Sequence, residues 1–178
     1  MDHLWSPWRY KYIASADRKE RCLFCRIDQE RKDVENYVIH RARLNLVVLN
    51  LYPYTSGHLM IAPYEHQASL AAVSEAATTE MIELAKRAQL ALEAEYHPDG
   101  FNIGMNLGRS AGAGVADHLH LHVVPRWTGD AGPGLMSNRS RTAVTKASGV
   151  RPPKSLTLRL YGRICTWSCG NATARNVR

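Results

Sequence analysis

An α+β domain, an antiparallel sheet carrying one long helix, is the fold class this sequence predicts, and three observations predict it. Short runs of β-type residues are joined by turns too short for the crossovers that parallel strands need. Residues 75–96 carry apolar side chains at helical spacing. A third segment alternates histidine with aliphatic residues at strict period two, the repeat of a strand with two different faces.

Taken in order, residues 45–50 (NLVVLN) read as a strand, Tyr52-Pro53-Tyr54-Thr55-Ser56-Gly57 as a turn, and residues 58–62 (HLMIA) as a second strand. In the helix, Met81, Leu84, Ala85, Ala88, Leu92 and Tyr96 share one stripe. Ser74 is placed to cap its first turn, and His97-Pro98-Asp99-Gly100 stops it. Residues 101–106 (FNIGMN) read as a strand, a glycine-rich loop follows, and residues 118–124 (HLHLHVV) close the sheet. With 45% hydrophobic residues, the chain has enough apolar surface for a core without disulfide staples.

Composition divides the chain at Asp130. The net charge of +7 belongs to residues 131–178, which hold 9 of the 23 Lys and Arg and none of the 16 Asp and Glu. Residues 1–130 are therefore the expected folded domain, and 131–178 an irregular or disordered basic tail in which only residues 155–161 (SLTLRLY) alternate like a strand. Because the body is nearly neutral, nucleic acid is not the expected partner, although an RNA-binding arm is the alternative reading of the tail. No apolar run approaches the ~20 residues of a membrane span, and the start has no signal-peptide layout. A cytoplasmic protein with four reduced cysteines is expected.

In a strand, His118, His120 and His122 fall on one face and Leu119, Leu121 and Val123 on the other. The aliphatic face suits burial against the helix. The imidazoles each keep a donor and an acceptor that need partners, so they form a working face. One ring is able to act as nucleophile while its neighbours bind phosphate oxygens or fix its tautomer. The pattern alone also admits a three-histidine metal site. The loop upstream, Asn106-Leu107-Gly108-Arg109-Ser110-Ala111-Gly112-Ala113-Gly114, favours phosphate, because its backbone N–H groups are little obstructed and Arg109 and Ser110 add a charge and a hydroxyl.

These residues resemble the histidine-triad (HIT) superfamily of nucleotide hydrolases and transferases. His118-Leu-His120-Leu-His122-Val-Val is similar to its His-x-His-x-His-x-x signature, and the segment from Leu49 to Gly57-His58 is similar to its Gly-His segment. Leu4-Trp5-Ser6-Pro7-Trp8-Arg9 and residues 106–127 are closer still to a bacterial branch, some of whose members are diadenosine tetraphosphate phosphorylases. The resemblance implies that His120 attacks the α-phosphorus, that His122 contacts the phosphate and helps the leaving group depart, and that His118 supports the arrangement. It implies that Asn50 holds the ribose, that His58 belongs to the substrate site, and that Asn106, Gly108, Arg109, Ser110 and the amides of Ala113 and Gly114 line the phosphates. Many relatives place a Gln or Ser side chain in that last stretch, where this chain offers backbone alone. A homodimer is likewise implied. The tail departs from the branch: Ala131-Gly132-Pro133-Gly134 replaces an Asn-Phe continuation, an abrupt change such as a shifted reading frame produces.

Cys22-Leu23-Phe24-Cys25 has the spacing of half a zinc site. Two buried thiols are the alternative, and a redox pair lacks its strand–helix setting. The resemblance implies closure of a structural zinc site by His66 and His118; Cys165 and Cys169 are the rival ligands. Three functions stand at this point: an enzyme cleaving dinucleoside polyphosphates, a non-catalytic nucleotide-binding protein, and a zinc hydrolase using the histidine triad as ligands.

Overall fold

The computed structural model describes residues 22–130. The expectations for residues 4–9, for the basic tail, and for Cys165 and Cys169 lie outside the described residues. The elements run α1 (Leu23–Glu30), β1 (Val38–Arg41), β2 (Asn45–Leu49), β3 (Leu59–Pro63), α2 (Glu75–Tyr96), β4 (Gly100–Met105) and β5 (Leu121–Arg126), with short 3-10 turns at Leu70–Ala72 and Arg109–Ala111. The five strands form one sheet in the order β1-β2-β3-β5-β4, with every pair antiparallel. This is the predicted α+β class.

The predicted stripe on α2 forms the main core. Met81, Leu84, Ala85, Ala88 and Leu92 are buried against Val47, Leu49, Leu59, Ile61, Leu119, Leu121 and Val123, and Tyr96 packs at the edge. The Ser74 hydroxyl accepts the Ala77 N–H at 3.3 Å, and His97 ends the helix in a left-handed conformation. The opposite face of the sheet is covered by α1, which the sequence reading lacks. Phe24 and Ile27, one turn apart, pack on Leu46, Val48, Met60 and Ala62. β2 and β3 are therefore buried along both faces. No helix among the described residues is long and apolar enough to cross a membrane.

Gly57 positions the start of β3. Its φ is +79°, and a Cβ there would lie 2.9 Å from both Leu92 Cδ2 and Tyr96 Cε2. Only glycine combines that backbone with so close an approach to α2. The next residue, His58, is thereby set at a fixed depth in the sheet.

Candidate active site and metal centre

The histidine segment enters the sheet later than its alternation predicts. Strand pairing begins at Leu121, while His118 lies in a bend and Leu119 and His120 precede the strand. The Leu119 N–H donates to the Gln67 carbonyl, 2.6 Å away, in place of a ladder partner. The two-faced arrangement nevertheless holds. Leu119, Leu121 and Val123 are buried on the α2 side, and the three imidazoles are buried on the other. Phe24 of α1 lies 5.1 Å, centroid to centroid, from both the His118 and His120 rings.

Hydrogen bonds assign each ring's tautomer. The Nδ1 of His120 is 2.8 Å from the His118 carbonyl, which only accepts. Nδ1 therefore carries the proton, and Nε2 presents its lone pair. For His122 the assignment starts further away. The Tyr52 N–H donates to Asn50 Oδ1 at 2.9 Å, which fixes the amide and turns Nδ2 toward His58 Nδ1 at 3.3 Å. The Tyr54 N–H also donates to His58 Nδ1, at 3.2 Å. Two donors meeting at Nδ1 leave the His58 proton on Nε2, which donates to His122 Nδ1 at 2.8 Å. His122 consequently bears its own proton on Nε2. The His120 and His122 rings stand 4.8 Å apart, centroid to centroid, at 69°, so two rings of opposite tautomer are neighbours.

Burial keeps these rings neutral. It lowers the pKa of His120, and it holds His58 well below the usual histidine range with help from His122 and His120. Burial and the neighbouring His120 push His122 down to about 3. The pair therefore offers an uncharged nucleophile and an uncharged donor at neutral pH, and neither carries charge to be neutralised before attack.

His118 faces away from this pair. Its Nε2–H donates to the Pro63 carbonyl at 2.9 Å. Its Nδ1 lies 3.2 Å from Cys22 Sγ, 3.6 Å from Cys25 Sγ and 3.2 Å from His66 Nδ1, and Cys25 Sγ is 3.3 Å from that same His66 nitrogen. All four ligand atoms lie within 4.8 Å of one another. Bonds of about 2.3 Å to sulfur and 2.0 Å to nitrogen place tetrahedral ligand atoms about 3.3–3.8 Å apart, so the cluster has the size of a zinc site. Its chemistry fits as well. The Nε2–H bond to a backbone carbonyl is the outer-shell anchor that a metal-binding histidine normally has. Burial and the adjacent Cys22 push the Cys25 thiol up to about 11, so a thiolate at Cys25 requires a cation beside it. Both nitrogens of His118 are committed on this side. A metal held jointly by His118, His120 and His122 is excluded by that geometry.

The other predicted residues divide. β4 runs beside β5 with Gly104 opposite His122 and Met105 opposite Leu121, so the loop beginning at Asn106 leaves the sheet where His120 enters it. Asn106 is buried, and its Nδ2 donates to the Gly112 carbonyl at 3.4 Å. Gly108 and Gly112 take positive φ, which turns the loop back on itself, and Arg109 and Ser110 are exposed on the 3-10 turn between them. Gly114 is exposed, but the Ala113 N–H donates to the Gly108 carbonyl at 3.2 Å and is spent within the loop. His58 sits deeper than the loop residues. It is 1% exposed, and its Nε2 lies 2.8 Å from His122 Nδ1, behind that ring. Asn50 is half-buried, with its Nδ2 3.3 Å from His58 Nδ1. Sequence reasoning missed the parts of Tyr54 and Phe24. Tyr54 stacks on His58 at 5.0 Å and 17°, and neither residue has a local sequence signal for its role.

Residues 31–129 match the HIT domain family. The chain belongs to that family. Over 139 residues this HIT protein is 40% identical to AP-4-A phosphorylase of Mycobacterium tuberculosis (strain CDC 1551 / Oshkosh), covering 74% of this chain and 71% of that one. It is 29% identical over 114 residues to the adenosine 5'-monophosphoramidase hnt1 of Schizosaccharomyces pombe, covering 64% and 80%. Among solved structures it resembles a zinc-bound histidine triad family protein from Mycobacterium smegmatis, with a TM-score of 0.63 and 27% identity over 84% of this chain and 96% of that one.

Proposed function

We propose that this HIT protein is a nucleotidyl hydrolase or transferase that cleaves dinucleoside polyphosphates such as diadenosine tetraphosphate through a nucleotidyl-histidine intermediate on His120. The observation that carries the reading is the tautomer pair, a free Nε2 lone pair on His120 beside a protonated Nε2 on His122. In the first step, His120 Nε2 bonds to the α-phosphorus as the bond to the bridging oxygen breaks. The electron pair leaves with the polyphosphate, whose oxygen takes a hydrogen bond or the proton from His122. In the second step, water or inorganic phosphate displaces the nucleotide from His120. Asn50 meets the ribose, and Asn106, Gly108, Arg109, Ser110 and the Gly114 amide surround the phosphates. The name of the M. tuberculosis relative supports this substrate class.

Cys22, Cys25, His66 and His118 hold zinc in this reading, and the ion supplies a structural cross-link between α1 and the histidine segment. A homodimer fits the outer edge of β4, which has no strand partner on that side among the described residues. That strand ends the sheet, has no charged residue and exposes Ile103. The reading keeps the protein in the cytoplasm, where its nucleotide substrates are. The test is product analysis of diadenosine tetraphosphate with and without inorganic phosphate. The parent should release adenine nucleotides and His120→Ala should release none. Substantial turnover by the variant would overturn the mechanism.

A further inference from the structure

The two residues inside the Cys22–Cys25 spacing are not used by either site so far, yet one of them touches both. Phe24 is 1% exposed and is the largest side chain of the core beneath α1. Its ring packs on His118 at 5.1 Å and 53°, and on His120 at 5.1 Å and 40°. Its backbone position is set by the flanking cysteines, whose Sγ atoms face His118 Nδ1. A second link runs through the main chain. The His118 residue whose Nδ1 faces the thiols also supplies the carbonyl that takes the His120 Nδ1–H, at 2.8 Å.

We propose that the Cys/His cluster and the nucleophile form one mechanical unit, in which Phe24 is a positioning residue for His120. Ligation at His118 fixes the peptide whose carbonyl selects the His120 tautomer. Ligation at Cys22 and Cys25 presses Phe24 against the same ring and blocks its rotation. Only the Nδ1–H tautomer leaves the Nε2 lone pair for phosphorus, so loss of either link reduces the fraction of rings competent to attack. His122 is held by a separate set of contacts, through His58, Asn50 and Tyr54, and stays in place. The inference rests on the proposed role of His120 as nucleophile, and its main readout does not require turnover.

The experiment uses the full zinc-loaded chain, the same chain stripped by a strong chelator, and a zinc-loaded Phe24→Leu variant. Long-range proton–nitrogen NMR of the imidazoles reads each tautomer, and metal content and steady-state kinetics with diadenosine tetraphosphate are measured alongside. The loaded parent should show His120 as a single Nδ1–H tautomer. Stripping should give a tautomer mixture at His120, should leave the His58 and His122 tautomers unchanged, and should reverse on zinc addition. Phe24→Leu should keep the parent's metal content and KM while kcat falls about tenfold, the scale of a small misplacement of a reacting group. A residue serving only the core would change the melting temperature and not the tautomer. A single unchanged His120 tautomer in the stripped protein overturns the coupling, whether or not Phe24→Leu folds. A parent that shows the predicted tautomers but transfers no nucleotide overturns the proposed function and leaves the coupling supported.

Discussion

Replacing Gly57 by alanine tests how the fold sets the site, because the structure gives both parts of the cost. With φ at +79°, an alanine is forced into the left-handed region, at about 1–2 kcal/mol. The new methyl would also sit 2.9 Å from Leu92 Cδ2 and Tyr96 Cε2, closer than real contacts allow. Leu92 is fully buried, and Tyr96 is packed edge-on against Trp127, so relief must come from the α2–β3 packing. Overpacking of this kind costs about 1–3 kcal/mol, for a total of about 2–5 kcal/mol. At roughly 4 °C per kcal/mol for a domain near this size, the melting temperature should fall by ~8 °C or more. Turnover at low temperature should fall too, because His58 is the next residue and its shift moves His122. Gly100→Ala is the control. No atom lies within 4 Å of its Cβ and its φ is not positive, so it should melt like the parent. Thermal melts of both variants decide the matter. A Gly57→Ala protein that melts within a degree of Gly100→Ala would refute the reasoning.

The relay behind His122 predicts that His58→Phe, which keeps an aromatic ring and removes the donor, lowers kcat by about 10²–10⁴ with little change in KM. An unchanged kcat would show that His122 needs no partner. On the proposed zinc site, Cys22→Ser should lose metal by elemental analysis and lower the melting temperature, because metal binding would couple to the folding of α1; metal content equal to the parent's would remove Cys22 from the site. Because His122 titrates at about 3 in the fold and near 6.5 when unfolded, the unfolded chain binds the extra proton between those values. Its stabilising contribution is present above pH 6.5 and is lost as pH falls toward 3. Lowering the pH from 7.5 to 5.5 should cost about 1.4 kcal/mol from this group alone. Denaturant titrations of the parent and His122→Gln should differ by that amount in pH dependence, and parallel curves would contradict the burial argument.

Local pattern made much of this molecule legible. The apolar stripe on α2 spans many turns, and its periodicity, its Ser74 cap and its stop at His97 are all visible in sequence. β2 and β3 show as continuous apolar runs because helices cover both faces of the sheet. α1 does not show, since eight residues give only Phe24 and Ile27 as a repeat and Cys22 forms no side-chain cap. β1 is four residues long, carries a bulge against β2 and offers little alternation. In the site, period two gave the correct faces for His118, His120 and His122 but the wrong strand start, because Leu119 pairs with Gln67 and not with a strand. Which histidine does what was not readable from spacing. The assignment depends on the Pro63 carbonyl for His118, the His118 carbonyl for His120 and His58 for His122, and two of these partners lie more than fifty residues away. The Gly-His pair did signal importance at His58, but its place behind His122 follows from the meeting of β3 and β5.

The most direct test of the account is to find the covalent bond. The full-length protein is mixed with diadenosine tetraphosphate labelled at the α-phosphates, quenched in alkali within the first turnovers, digested and mapped by mass spectrometry. The account predicts one adenylyl group per labelled peptide, on His120, stable in base and released by acid as a phosphoramidate should be. It predicts no label on His118 or His122 and none at all in His120→Ala. Full turnover without label, or label on another residue with His120→Ala still active, would contradict it.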